Sequence, residues 1–212
     1  FGSDPYPSLV TVPLFHAAGI CTGVLPSVAR HGTTVILDGA GPTEFLETME
    51  AESVTFYMGV PTHYVLLTER ADPSAYDLDS WAIGAYGGAP MPSDAIARLR
   101  AAFPGVELCD AYGTTETVGG LVTLCPDQYT DDHADTIGIP APPVELAVVD
   151  VDGAPLGPGE VGELLIRGPV VVDQYLNRPE ATAESFGPGP APDGSGTTGG
   201  WYHTGDLARI DE

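Results

Sequence analysis

The sequence predicts an α/β protein: a mixed, largely parallel sheet flanked by helices, followed by a smaller β-barrel-like unit. Three features predict it. Short apolar, β-branched runs alternate with runs of helical period through the first part of the chain. Gly, Pro and Asp punctuate the junctions between them. After Asp127 the helical period fades, and strand-like runs separated by long turns take over. Residues 1–134 are therefore expected to form one subdomain and residues 135–212 a second.

In chain order, residues 9–15 read as a buried strand, and His16 to Gly19 closes it and opens a helix-like apolar run to Leu25. Residues 35–37 read as a second strand between Gly32 and Gly39. Pro42 then starts a helix with Phe45, Leu46 and Met49 on one face. Residues 54–57 are a third strand, Pro61 opens a helix to Leu67, and residues 82–86 form a fourth strand ending at Gly87-Gly88. A helix over 93–102 and a strand over 106–109 complete the alternation. In the second unit, residues 144–149 and 162–166 read as strands and 179–186 as a helix. Residues 187–200, rich in Gly, Pro, Ser and Thr, are expected to be a mobile loop.

Composition narrows the function. Thirty acidic residues against seven basic ones give a formal charge of −23, and every basic residue is Arg. Such a balance argues against nucleic-acid or anionic-membrane partners, because phosphate contacts need Lys and Arg. Adaptation to high salt and simple membership of a longer, more balanced chain both accommodate the acidity. No apolar run reaches the length of a membrane span, and no basic, apolar leader is present, so a cytoplasmic protein is the expectation. Cys21, Cys109 and Cys125 form no CxxC and are expected to be buried thiols.

The most informative stretch is Asp110-Ala111-Tyr112-Gly113-Thr114-Thr115-Glu116-Thr117. It follows a strand and offers an aromatic face, hydroxyl donors for a phosphate and a carboxylate suited to Mg²⁺. A strand ending in a polar turn would look the same. His16, Gly87-Gly88 and this octet all fall at carboxyl ends of predicted strands, where α/β folds bind ligands.

The octet resembles the core motif of the adenylate-forming superfamily, which includes acyl-CoA synthetases, peptide-synthetase adenylation domains and luciferases. Four further segments resemble the same superfamily in the same order. They are Pro13-Leu14-Phe15-His16-Ala17-Ala18-Gly19, Gly87-Gly88-Ala89-Pro90-Met91, the run from Gly162 to Gly168 continuing to Glu184, and Trp201-Tyr202-His203-Thr204-Gly205-Asp206. The resemblance implies that Asp110 accepts from the adenine amino group, Tyr112 stacks on the purine, Thr115 bonds the α-phosphate, Glu116 holds Mg²⁺ and Asp206 accepts from both ribose hydroxyls. It places Gly87, Gly88, Ala89, Ala111 and Gly113 along the nucleotide, and His16, Tyr86, Gly88 and Val118 beside the acid. Tyr112 as core, Glu116 as a solvated turn, Asp206 as a loop cap and His16 as a packed histidine stand as alternatives.

The implied reaction joins a carboxylic acid to CoA through acyl-AMP, with ATP, Mg²⁺ and CoA as cofactors. Loading a carrier-protein phosphopantetheine is the alternative within the class, and a non-catalytic nucleotide-binding or structural remnant is the alternative outside it. The family's Pro-Lys-ended phosphate loop and its C-terminal catalytic Lys have no counterpart in a chain without Lys. The chain alone is therefore expected to be an inactive piece of the parent enzyme. Ser195-Gly196-Thr197-Thr198-Gly199 imitates the phosphate loop but leads into Gly200-Trp201, and the Asp131, Asp132, His133, Asp135 run reads as a solvated turn.

Overall fold

The computed structural model describes residues 6–119, 122–126, 136–191 and 196–211. The chain divides into two units, one made of Phe1–Thr115 and Gly119–Ile139, the other of Glu116–Val118 and Pro140–Glu212.

The first unit is built on the predicted, largely parallel sheet. Its strands are β1 (Ser8–Val10), β2 (Thr34–Ile36), β3 (Phe56–Gly59), β4 (Ile83–Gly87), β5 (Glu107–Tyr112), β6 (Thr123–Pro126) and β7 (Ile139–Pro140), in the order β2-β1-β3-β4-β5-β6-β7. The five strands β1 to β5 run parallel, and β6 turns back antiparallel to β5. Helices α2 (Pro42–Ala51), α3 (Pro61–Arg70) and α4 (Ser93–Ala102) supply the crossovers that parallel strands require. Proline at the first turn of α2 and of α3 gives up an N–H that the helix would not have used. Their inner faces carry Phe45, Leu46 and Met49, then Tyr64 and Leu67, then Ala95, Ile96 and Leu99. All enter one core with Tyr57, Trp81 and Leu108. Burying each large side chain contributes about 1.5–3 kcal/mol.

Two expectations change here. The first strand ends at Val10 rather than Phe15, because Pro13 cannot donate to a ladder and its carbonyl instead accepts from His16 N–H at 3.0 Å. The helical run after it forms as a π-helical segment, Ala18–Val24, continued by α1 (Leu25–Ala29). Pro26 has no N–H to give, and Leu25 donates to Ile20, five residues back. A Cβ on Gly19 would lie 2.5 Å from the Pro13 carbonyl oxygen, and one on Gly23 2.6 Å from the Val10 side chain, so the two glycines let this helix lie against the segment after β1 and against β1 itself.

The second unit is an antiparallel four-stranded sheet curled as a half-barrel, ordered β10 (Phe186–Pro190), β11 (Thr197–Ala208), β9 (Gly162–Arg167), β8 (Glu145–Val149). Val149, Leu165 and Trp201 form its core, and α5 (Pro179–Ser185) precedes β10. The loop expected over 187–200 is, in its described part, an antiparallel pairing, with Phe186 opposite Tyr202 and Gly187 opposite Trp201. Glycine serves the ladder here: a Cβ on Gly189 would lie 2.6 Å from the Trp201 ring. Arg167 covers that ring at 4.9 Å and hydrogen-bonds Glu145. Thr197 to Gly199, part of the apparent phosphate loop, lie in β11. The Asp131 to Asp135 run lies outside the described residues.

Cys21 and Cys109 form no disulfide and are half-buried, less deeply placed than expected. Among the described residues, no helix is long and apolar enough to cross a membrane.

Candidate functional site

A cavity of about 260 Å³ opens in the first unit where the parallel strands end. Its wall is assembled from successive strand ends: Met58 and Gly59 of β3, Gly87 of β4 followed by Gly88, and Ala111 and Tyr112 of β5 followed by Gly113, Thr114 and Thr115. Val12, His16, Ala17 and Ala18, from the segment after β1, complete it with Val60 and Gly119. A parallel sheet delivers every strand end to one edge, so residues far apart in sequence meet without any side-chain pairing to bring them there.

Two glycines shape this wall for different reasons. A Cβ on Gly87 would sit 2.3 Å from the Ala111 carbonyl oxygen, so glycine lets β4 and β5 lie close at their ends. Gly88 holds φ +79°, and no other heavy atom approaches its Cβ position within 4 Å. The backbone at Gly88 thus presents a flat, side-chain-free surface suited to a planar ring. Gly119, also left-handed at φ +59°, would place a Cβ 2.7 Å from the Ala17 backbone, which fixes the return of the chain beside the His16 segment.

Of the predicted site residues, His16, Gly87, Gly88, Ala111, Tyr112, Gly113 and Thr115 line this cavity. Asp110 lies one residue inside it, half-buried in β5. Burial pushes its carboxyl up to about 6, partly offset by a hydrogen bond from the Ala111 backbone. Ala89 follows Gly88 on the surface. Tyr86 lies in the core at 1% exposure, its ring edge-on to Tyr64 at 6.0 Å. His63 of α3 lies outside the cavity lining. The Tyr57 hydroxyl lies 2.6 Å from His63 Nδ1 and 2.8 Å from Thr11 Oγ1.

Glu116, Val118 and Asp206 belong to the second unit. The Glu116 carbonyl accepts from Val172 N–H at 2.9 Å, and its carboxylate accepts from the Tyr175 hydroxyl at 2.6 Å. Val118, a β-branched residue at φ +59°, sits in a region that costs about 1–3 kcal/mol. Asp206 is exposed in β11, where pairing with β9 shifts register between His203 and Leu207. Thr204 Oγ1 donates to the Leu164 carbonyl at 2.7 Å and accepts from Asp206 N–H at 3.0 Å. Glu163 accepts from Gly205 N–H at 3.0 Å.

Sequence reasoning gave no individual role to Tyr175, Glu163 or Thr204. Their partners are 59, 42 and 40 residues away, a distance at which no local pattern signals a hydrogen bond.

The donor set suits a nucleotide-borne cation better than a resident one. Among the described residues, no three His, Cys, Asp or Glu side chains gather into a metal group. Mg²⁺ is commonly held by one or two carboxylates together with substrate phosphates, so a single ordered Glu116 fits that mode.

A sequence profile described as AMP-binding enzyme matches residues 3–176. A feruloyl-CoA synthase of Amycolatopsis sp is 33% identical over 204 residues, covering 96% of this chain and 39% of its own length. The mitochondrial medium-chain acyl-CoA ligase ACSF2 of Danio rerio is 33% identical over 207 residues, covering 95% of this chain and 32% of its own length. The o-succinylbenzoate-CoA synthetase of Bacillus subtilis, solved with ATP and a magnesium ion, superposes with a TM-score of 0.84 at 26% identity, covering all of this chain and 40% of the other. The chain therefore spans about a third to two fifths of the length of these relatives.

Proposed function

The chain belongs to the AMP-binding enzyme family, and from that premise we propose that it is part of a ligase joining a carboxylic acid to CoA through an acyl adenylate. The observation that carries the reading is the cavity at the carboxyl ends of β3, β4 and β5, with the bare Gly88 backbone and Tyr112 in one wall. CoA is preferred to a carrier protein as the acceptor because the relatives are CoA synthases and ligases.

In the first half-reaction an acid oxygen attacks the α-phosphorus of ATP, forming acyl-AMP and releasing pyrophosphate. In the second, the thiol sulfur attacks the acyl carbon, AMP leaves and the thiol proton goes to solvent or a base. Within this chain, Tyr112 gives a ring face for the purine and Asp110 an acceptor for its amino group. Thr115 would donate to the α-phosphate, Glu116 would hold the magnesium that accompanies the nucleotide and Asp206 would accept from the ribose hydroxyls. His16 and Gly88 would border the acid, whose apolar part would meet Val12, Met58 and Val60, which line the same cavity.

Charge stabilisation on the phosphates is most of the work in such chemistry. This chain carries no Lys and a formal charge of −23, so the cations come from elsewhere in the parent protein and the chain alone is inactive. Acid-dependent ATP–pyrophosphate exchange by the full-length protein, screened over fatty, aromatic and branched acids, tests the assignment. No exchange with any acid would refute the ligase reading, whereas exchange by the isolated chain would refute its predicted inactivity.

A further inference from the structure

Glu116 is tied at two points to one short segment. Val172 N–H donates to its carbonyl at 2.9 Å, and three residues later the Tyr175 hydroxyl donates to Oε1 at 2.6 Å. Backbone and carboxylate are thus set by a stretch almost sixty residues away. A glutamate has three rotatable side-chain bonds, and ordering it costs about 1.5–2 kcal/mol. A hydrogen bond to one carboxylate oxygen narrows the orientations open to the group and offsets part of that cost.

The phenol is itself held from several sides. Tyr175 N–H donates to Thr182 Oγ1 at 3.0 Å, and that hydroxyl donates to the Arg178 carbonyl at 2.8 Å, tying Tyr175 to the first turn of α5. The ring packs edge-on against Phe186 of β10 at 5.4 Å, and Phe186 lies 5.4 Å from Tyr202 of β11. The curled sheet of the second unit therefore transmits its rigidity through one phenol to one carboxylate. A purely packing role would be satisfied by the ring alone. The short bond to Glu116 is what a phenylalanine could not supply.

We propose that Tyr175 is a positioning residue that presents the Glu116 carboxylate to a divalent cation bound with the nucleotide. This inference rests on the assignment of Glu116 as the magnesium ligand, and the test separates the two. In the full-length protein, Mn²⁺ affinity in the presence of ATP is read by EPR, and the Mg²⁺ dependence of ATP–pyrophosphate exchange is measured alongside it, for the parent, Tyr175→Phe and Glu116→Gln. Losing one charge-assisted hydrogen bond should raise the Mn²⁺ Kd of Tyr175→Phe about tenfold. The Mg²⁺ concentration at half-maximal exchange should rise in parallel, with a smaller fall in kcat at saturating metal. Glu116→Gln should show the larger loss of Mn²⁺ affinity. If Glu116→Gln weakens Mn²⁺ binding and Tyr175→Phe does not, the inference fails while the magnesium assignment stands. If neither variant changes Mn²⁺ affinity, the assignment fails and takes the inference with it. A lowered melting temperature in Tyr175→Phe with unchanged metal dependence would assign the tyrosine to packing and overturn the proposal.

Discussion

Replacing Asp110 by asparagine is expected to stabilise the first unit at neutral pH and leave it nearly unchanged in acid. Asp110 is half-buried in β5, and burial raises its carboxyl from 3.8 to about 6. At about 1.36 kcal/mol per pH unit, ionising it in the folded state costs about 3 kcal/mol more than in the unfolded chain. Residual solvent contact reduces this to about 2 kcal/mol. Below the unfolded value both states are protonated and the cost vanishes. As pH rises through about 6 the folded carboxylate ionises and the stability is lost, because the native state binds more protons across that window. Asparagine has nearly the same shape and no charge. The variant should therefore gain about 2 kcal/mol over the parent near pH 8 and almost nothing near pH 4. Urea unfolding at a series of pH values measures the difference. 5-Fluorotryptophan labelling supplies a separate reporter for each unit, since Trp81 is in the core of the first and Trp201 in that of the second. A stability difference that is flat across this range, or a carboxyl carbon of Asp110 titrating in the ordinary aspartate range by NMR, would refute the reasoning. If Asp110 also accepts from the adenine amino group, AMP should bind more tightly as pH rises through the same window.

Four further outcomes are open to measurement. Gly87→Ala would place its methyl carbon 2.3 Å from the Ala111 carbonyl, and calorimetric melting should show the first unit destabilised by about 1–3 kcal/mol; an unchanged transition would show that β4 and β5 can part at their ends. Tyr57→Phe removes the hydroxyl between Thr11 and His63, and urea unfolding at neutral pH should show a loss of about 1–3 kcal/mol. Burial also lowers the His63 pKa, so its stabilising contribution, complete above 6.5, should fade as pH falls through the lowered value, visible as a shift in the His63 ring resonances. With a formal charge of −23, the melting temperature should rise as KCl screens self-repulsion from about 0.02 to 1 M, and a flat profile would count against high-salt adaptation.

Local chemistry made the scaffold of the first unit legible in the sequence. Pro42 and Pro61 start helices, and the spacing of Phe45, Leu46 and Met49 names the buried face of α2. The motif residues at strand ends could be named for the same reason: parallel strands separated by helices must finish at one edge, so His16, Gly87-Gly88 and Tyr112 are brought together by topology alone. Composition misled in the described part of 187–200, where glycine reads as a loop but permits Trp201 to lie against β10.

What the sequence determined by itself is the alternation of strands and helices in the first unit and the residue types at its strand ends, because these depend on periods and spacings within short windows, while the family was legible in the resemblance of five ordered motifs. Only the tertiary structure decided that Asp110 is buried deeply enough to hold its proton near pH 6, that Gly87 faces the Ala111 carbonyl, and that Tyr175 holds Glu116. Each of those depends on how far water is excluded or on a contact across many residues. Desolvation and long-range hydrogen bonds are properties of the packed arrangement, and no stretch of chain carries them alone.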